Sequence, residues 1–280
     1  MRQKWIKMTL AAGAIHFAMA SGAQADSIIK IGVNEPLTGP VAASGNFVTD
    51  GAKIAAEEIN AKGGINGAKI QLVVEDNKSN PMEAANAAEK LIVQDKVPVM
   101  MGAWGSTYTL AVMPKLIEYQ VPMLVETSSS DKITVSGNPY VFRISPTNGM
   151  EAAGFAKYVA SLKIHKADFL VVNNDWGLGA ASAFKAMLKE HGVAIGTVLT
   201  MDSSAQDMSA QLSSLKASDS DTLFITTDVG QLTLLLKQAR DLGFKRQIIT
   251  TGGSQNPDEL VEQAGTAANG TMHKDRKSVV

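Results

Sequence analysis

Short β-branched runs alternate with stretches of helical apolar spacing along most of the chain. The run at 28–33 (IIKIGV) reads as a strand, and 50–61 carries Ala52, Ala55, Ala56 and Ile59 at helical intervals before Gly63-Gly64 stops it. A strand at 69–75 follows. Asn80 then caps a helix that has Pro81 at its first position and Glu83 able to reach back, which predicts a helix to about residue 94. The pattern continues with a strand at 97–101, a helix at 106–119 and a strand at 122–125. Repeated strand–helix units with apolar strands predict parallel sheets covered on both faces.

Between residues 126 and 146 the rhythm breaks in a polar, turn-rich segment, and YVFRIS at 140–145 restarts it. A boundary between two lobes is therefore expected near 143–146, with an N-terminal lobe at 26–144 and a C-terminal lobe at 145–272. The second lobe reads as a helix at 148–162, a strand at 168–172, a helix at 179–191 and a strand at 194–200. After these come a helix at 205–215, a strand at 222–226, a helix at 231–242, a strand at 247–250 and a short helix from Asp258.

The first 25 residues stand outside this pattern. Arg2, Lys4 and Lys7 precede an apolar run at 8–20, and Ala23-Gln24-Ala25 has the small-x-small form of a cleavage site. Residues 1–25 are predicted to be a secretory signal peptide, and the mature protein is expected in a bacterial periplasm. The chain has no cysteine, so neither a disulfide nor a lipid-attachment cysteine is available. With 45% apolar and 19% charged residues the composition is that of a soluble globular protein. A net charge of −1 offers no basic excess for nucleic acid.

Chemistry concentrates at 98–109, PVMMGAWGSTYT. A strand hands over to a helix N-terminus there, with a hydroxyl, free amide donors and an indole at the turn. Such a place is suited to a small anion.

IKIGV, PLTGPVAASGN, GAKIAAEEINAKGGINGAKIQLVVEDNKSNP, the GxxGS turn, GNPYVFR, KQARDLGF and IITTGGS occur in that order from about Ile28 to Thr271. Together they resemble the periplasmic branched-chain amino-acid binding proteins of ABC transporters. The resemblance implies an α/β architecture of two Rossmann-like lobes with parallel sheets, joined by a hinge that closes on ligand (the type I periplasmic binding fold). It also implies a monomer that delivers a leucine-, isoleucine- or valine-like amino acid to a membrane permease, without catalysis. No cofactor or metal is expected, since none of the four histidines falls in a ligand pattern.

Carried onto this chain, the family's carboxylate clamp implies roles for Ser106 and the adjoining Thr107 at the helix start, and for Thr127 and Ser129 on the next loop. Trp176 in NNDWGLG is implied as an apolar wall from the second lobe, and Trp104 as a second wall. Three positions depart from the family pattern: Ser44 replaces an aromatic after the first strand, Gly252 stands where a glutamate commonly pairs the ligand ammonium, and Asp228 stands where an aromatic is often found. A buried ammonium needs a carboxylate. Asp228 is the first candidate for it and Glu126 the second; if neither faces the cleft, a carboxylate ligand without an amino group is expected.

Other readings are weaker. Gly177 to Ser182 before a helix, with Asp202 after the next strand, imitates a dinucleotide fingerprint and gives a remote NAD-dependent enzyme reading. Its glycines, however, fall several residues beyond the strand end. A ligand-sensing receptor on the same fold is a further alternative. Family chains continue past the point where the match fades, at about 270–272, so a C-terminally truncated chain with an incomplete first lobe and exposed apolar surface is expected. The tail at 273–280 looks non-native, and DRKSVV is similar to a translated sequencing adapter.

Overall fold

In the run IIKIGVNE the second half is buried, and the run forms an inner strand of a parallel sheet. The computed structural model describes residues 27–252 and 257–273. The predicted signal peptide and the tail beyond His273 lie outside the described residues.

The first half of the chain runs β1 (Ile28–Glu35), α1 (Ala42–Ala61), β2 (Lys69–Asp76), α2 (Pro81–Glu89, continued by a π-helical turn Lys90–Gln94), β3 (Met100–Gly102), α3 (Ser106–Tyr119), β4 (Met123–Val125), α4 (Lys132–Val135) and β5 (Val141–Arg143). The second runs α5 (Asn148–Ala156), β6 (Lys166–Val172), α6 (Asp175–Glu190), β7 (Ala194–Met201), α7 (Ser209–Ala217), β8 (Thr222–Thr226), α8 (Val229–Asp241), β9 (Gln247–Thr250), α9 (Pro257–Ala264) and β10 (Thr271–His273).

The strands form two five-stranded sheets ordered β2-β1-β3-β4-β5 and β10-β9-β8-β6-β7, and every pairing is parallel. Read from its own first strand, each sheet has the same order, 2-1-3-4-5. The direction of winding therefore reverses between β1 and β3 in one lobe and between β6 and β8 in the other. Open sheets of this kind bind ligands at the carboxyl ends of the strands flanking that reversal.

Helices cover the second sheet on both faces. Leu212, Leu215, Leu232 and Leu236 of α7 and α8 fill one side. On the other, Phe155, Phe169, Phe184 and Phe224 interlock, with Phe169 and Phe224 stacked at 5.2 Å. In the first sheet Met100, Met123, Val125 and Val141 pack under α2 and α3. Leu124 and Phe142 alternate to the opposite face and are 38% and 56% exposed.

Several boundaries differ from the sequence pattern. α1 begins at Ala42 instead of residue 50, because Gly45 lets the helix press on the Pro36 carbonyl; a Cβ there would lie 2.2 Å from that oxygen. The Ser/Gly/Asn-rich stretch that reads as a loop is thus helical, and Ser44 sits on its first turn. α5 stops at Ala156, yet Val159 is still buried: tighter turns such as Val159 N–H to the Ala156 carbonyl (3.2 Å) keep the apolar spacing without the helical ladder. α6 starts at Asp175, four residues early, because Asn174 caps it by accepting from the Gly177 amide at 2.9 Å. β10 is an additional strand, paired in parallel with β9. The Asn80 cap is as expected, accepting from Met82 and Glu83 amides at 2.8 and 3.2 Å.

Candidate functional site

Residues following the carboxyl ends of strands in both sheets enclose a cavity of about 240 Å³. The first lobe supplies Pro40 and Val41 after β1, Ser79 and Pro81 after β2, Trp104 to Tyr108 after β3, and Thr127 to Ser129 after β4. The second supplies Val172 at the end of β6, Asn174 and Trp176 after it, Ser203 after β7 and Asp228 after β8. Ser106, Thr107, Thr127, Ser129, Trp176, Asp228 and Trp104 are thereby brought together. Ser44 is not; its place near the cleft is taken by Pro40 and Val41, ahead of the early start of α1.

The turn after β3 is built to hold one shape. Gly102 adopts φ 141° and lies so close to β1 that a Cβ would meet the Asn34 carbonyl at 2.4 Å. Trp104 takes a left-handed φ of 57°, a conformation that disfavours a side chain by roughly 1–2 kcal/mol. Its peptide groups are held on both sides: its N–H donates to Glu126 Oε1 at 3.0 Å, and its carbonyl accepts from Ser128 Oγ at 2.9 Å. These bonds fix the Trp104 backbone at the cavity wall.

The helix ends around the cavity are not alike. α2, α6 and α8 are capped by the side chains of Asn80, Asn174 and Asp228, whereas α3 follows Gly105, which has no side chain to cap with. Ser106 is the first residue of α3 rather than its cap, so its hydroxyl and the first-turn amides face the cavity at the positive end of the helix dipole. Two other hydroxyls are already engaged. Ser129 Oγ donates to Asn148 Oδ1 at 2.9 Å, and Thr107 Oγ1 bonds across to Asp175 at 3.2 Å.

On the opposite wall Asp228 lines the cavity and accepts from the Gln231 amide through Oδ1 at 3.0 Å. Its negative charge, together with burial, raises the Tyr108 hydroxyl above the usual tyrosine range, with burial the larger cause. Tyr108, Ser79, Asn174 and Ser203 were absent from the sequence-derived set. Their common signal is position, a few residues past a strand end.

Glu126, the second candidate for an ammonium partner, is not in the lining. It lies behind Trp104 and faces the fully buried Glu35 at the end of β1. Burial, reinforced by the neighbouring Glu126 charge, pushes the Glu35 carboxyl well above its ordinary range, and burial raises Glu126 as well. Gly252 is buried and also outside the lining. The dinucleotide reading finds no phosphate loop, because Gly177 and Gly179 are inside α6 and Asp202 binds the amide and hydroxyl of Ser204. Among the described residues no group of three or more His, Asp or Glu is placed to hold a metal ion. No described helix is long and apolar enough to cross a membrane.

The sequence profile of the periplasmic binding protein family matches residues 28–273. A Leu/Ile/Val-binding protein homolog from Brucella melitensis is 32% identical over 259 residues, covering 92% of this chain and 69% of the relative. Among solved structures, the branched-chain amino acid transporter substrate binding protein LivJ from Streptococcus pneumoniae, in complex with isoleucine, is 30% identical with a TM-score of 0.76. The match covers 86% of this chain and 68% of that one. A solute binding protein of an ABC transporter from Rhodopseudomonas palustris, in complex with 3,4-dihydroxybenzoic acid, is 25% identical with a TM-score of 0.75, covering 87% and 67%.

Proposed function

Since the chain belongs to the periplasmic binding protein family, we propose that it is the extracytoplasmic substrate-binding subunit of an ABC transporter and captures a branched-chain or other hydrophobic amino acid between its lobes. The supporting observation is the polarity of the cavity. An uncapped helix N-terminus with the Ser106 hydroxyl lies on one lobe, and the carboxylate of Asp228 lies on the other. A ligand carboxylate fits the first and an ammonium the second, with an apolar side chain between the rings of Trp104 and Trp176. The fold closes on the ligand by hinge motion, and the loaded monomer passes it to a membrane permease. The sequence features at 1–25 support a periplasmic location.

A second reading has its own support. Three rings, Trp104, Tyr108 and Trp176, line the cavity, and a relative of the same fold holds a dihydroxybenzoate. An aromatic or other carboxylate without an amino group would then leave Asp228 to a phenolic hydroxyl.

Isothermal titration with leucine, isoleucine, 4-methylpentanoate and 4-hydroxybenzoate separates the two. Leucine or isoleucine binding at least tenfold tighter than 4-methylpentanoate supports the amino-acid reading. Binding of 4-methylpentanoate or 4-hydroxybenzoate in preference to both amino acids overturns it.

A further inference from the structure

Beside the cavity one carboxylate joins the two lobes. Asp175 opens α6 in the second lobe and is flanked by Asn174 and Trp176, which line the cavity; Asp175 itself does not. Its Oδ2 accepts from Thr107 Oγ1 at 3.2 Å, and its own amide donates back to that hydroxyl oxygen at 3.2 Å. Its Oδ1 accepts from Lys132 Nζ at 3.0 Å. Thr107 and Lys132 both belong to the first lobe, on α3 and α4. All three bonds require the lobes to be together, and opening the cleft breaks them.

We propose that Asp175 is a positioning residue for closure: it ties the lobes shut over the cavity without touching the ligand, and so sets how long any ligand is held. The inference rests on the proposed capture by lobe closure, and it deepens that reading by separating retention from recognition. Because Asp175 lies outside the cavity lining, its contribution enters through the population of the closed state, which multiplies every ligand's apparent affinity by one factor. The bonds are partly exposed, with Asp175 31% and Lys132 69% accessible, so the factor is modest and falls with added salt.

The test uses Asp175→Ala and Lys132→Met. Both change partly exposed side chains, and α6 keeps its Asn174 cap in either variant. The chain has no cysteine, so spin labels on Glu57→Cys and Lys189→Cys report the distance between the lobes by double electron–electron resonance. In the ligand-free protein Asp175→Ala is expected to shift the distribution toward longer, more open distances, and Lys132→Met to do so less. With ligand, stopped-flow measurements should give dissociation faster by about threefold to tenfold, with the ratio of affinities between two ligands unchanged. In the Asp175→Ala background Lys132→Met should add little. Unchanged lobe distances in Asp175→Ala overturn the proposal, as does a change in the ligand ratio. If the unaltered protein binds none of the amino acids while Asp175→Ala still opens the lobes, closure by Asp175 stands and the ligand reading fails.

Discussion

The Ser130 amide donates to the Ser106 hydroxyl oxygen at 3.1 Å. This bond joins the start of α3 to the loop after β4 and occupies an acceptor site of the Ser106 hydroxyl. A serine that already accepts an amide has its hydrogen left to give, and a carboxylate at a helix N-terminus is a suitable acceptor.

Ser106→Ala should therefore have two separable effects. The buried Ser130 amide loses its acceptor, lowering stability by about 1–3 kcal/mol. The ligand loses a charge-assisted bond, weakening binding by a further ~1.5–3 kcal/mol, or roughly tenfold or more. Denaturant unfolding reads the first and titration of the bound ligand the second; affinity unchanged within twofold would remove Ser106 from the clamp.

Asp228→Asn isolates charge from shape. Asparagine caps helices as well as aspartate does, so the bond to the Gln231 amide and the fold should persist, with stability within about 0.5 kcal/mol of the parent. An ammonium left without its carboxylate should cost leucine at least about tenfold in affinity. A ligand such as 4-methylpentanoate should bind equally well or better. Parallel losses for both would mean that Asp228 does not pair an ammonium.

How far the sequence carried this site depends on what each residue answers to. Asp228, Ser106 and Trp176, singled out through the family resemblance, line the cavity because each follows a strand end, where such folds bind. Trp176 falls ahead of the helix expected at 179–191, since a glycine-rich helix start has weak apolar spacing; the Asn174 cap is what makes it helical. Glu126, the second candidate for the ammonium, lies outside the lining, because a place next to Thr127 in the chain says nothing about which side of a strand end a side chain takes. Engagement was hidden entirely: the partners that occupy the Thr107 and Ser129 hydroxyls, Asp175 and Asn148, are 68 and 19 residues away in the chain.

Removal of the second-lobe wall should act on ligand size. Trp176→Ala takes a large apolar surface from the cavity and should weaken leucine by about 2–3 kcal/mol, with a smaller loss for alanine, which reaches less of the wall. Trp176→Phe should recover most of the difference. Equal losses for alanine and leucine would place the ligand side chain elsewhere.

The last prediction concerns the carboxyl pair behind Trp104. Glu35 is wholly buried beside Glu126, and its native carboxyl keeps its proton well above the ordinary value of 4.5. In the unfolded chain the same group ionises near that ordinary value, so above it the native state binds the more protons. Stability then falls as pH rises, by up to about 1.4 kcal/mol per unit for one such group, until the native pKa is passed; below 4.5 the two states match and the penalty is absent. Glu35→Gln keeps the shape and the hydrogen-bonding capacity but cannot ionise. Its stability by urea unfolding should decline less than the parent's from pH 5 to pH 8, with the advantage of the variant growing toward the alkaline end. Parallel stability profiles for the two proteins would show that the pair ionises in the folded chain as freely as in the unfolded one.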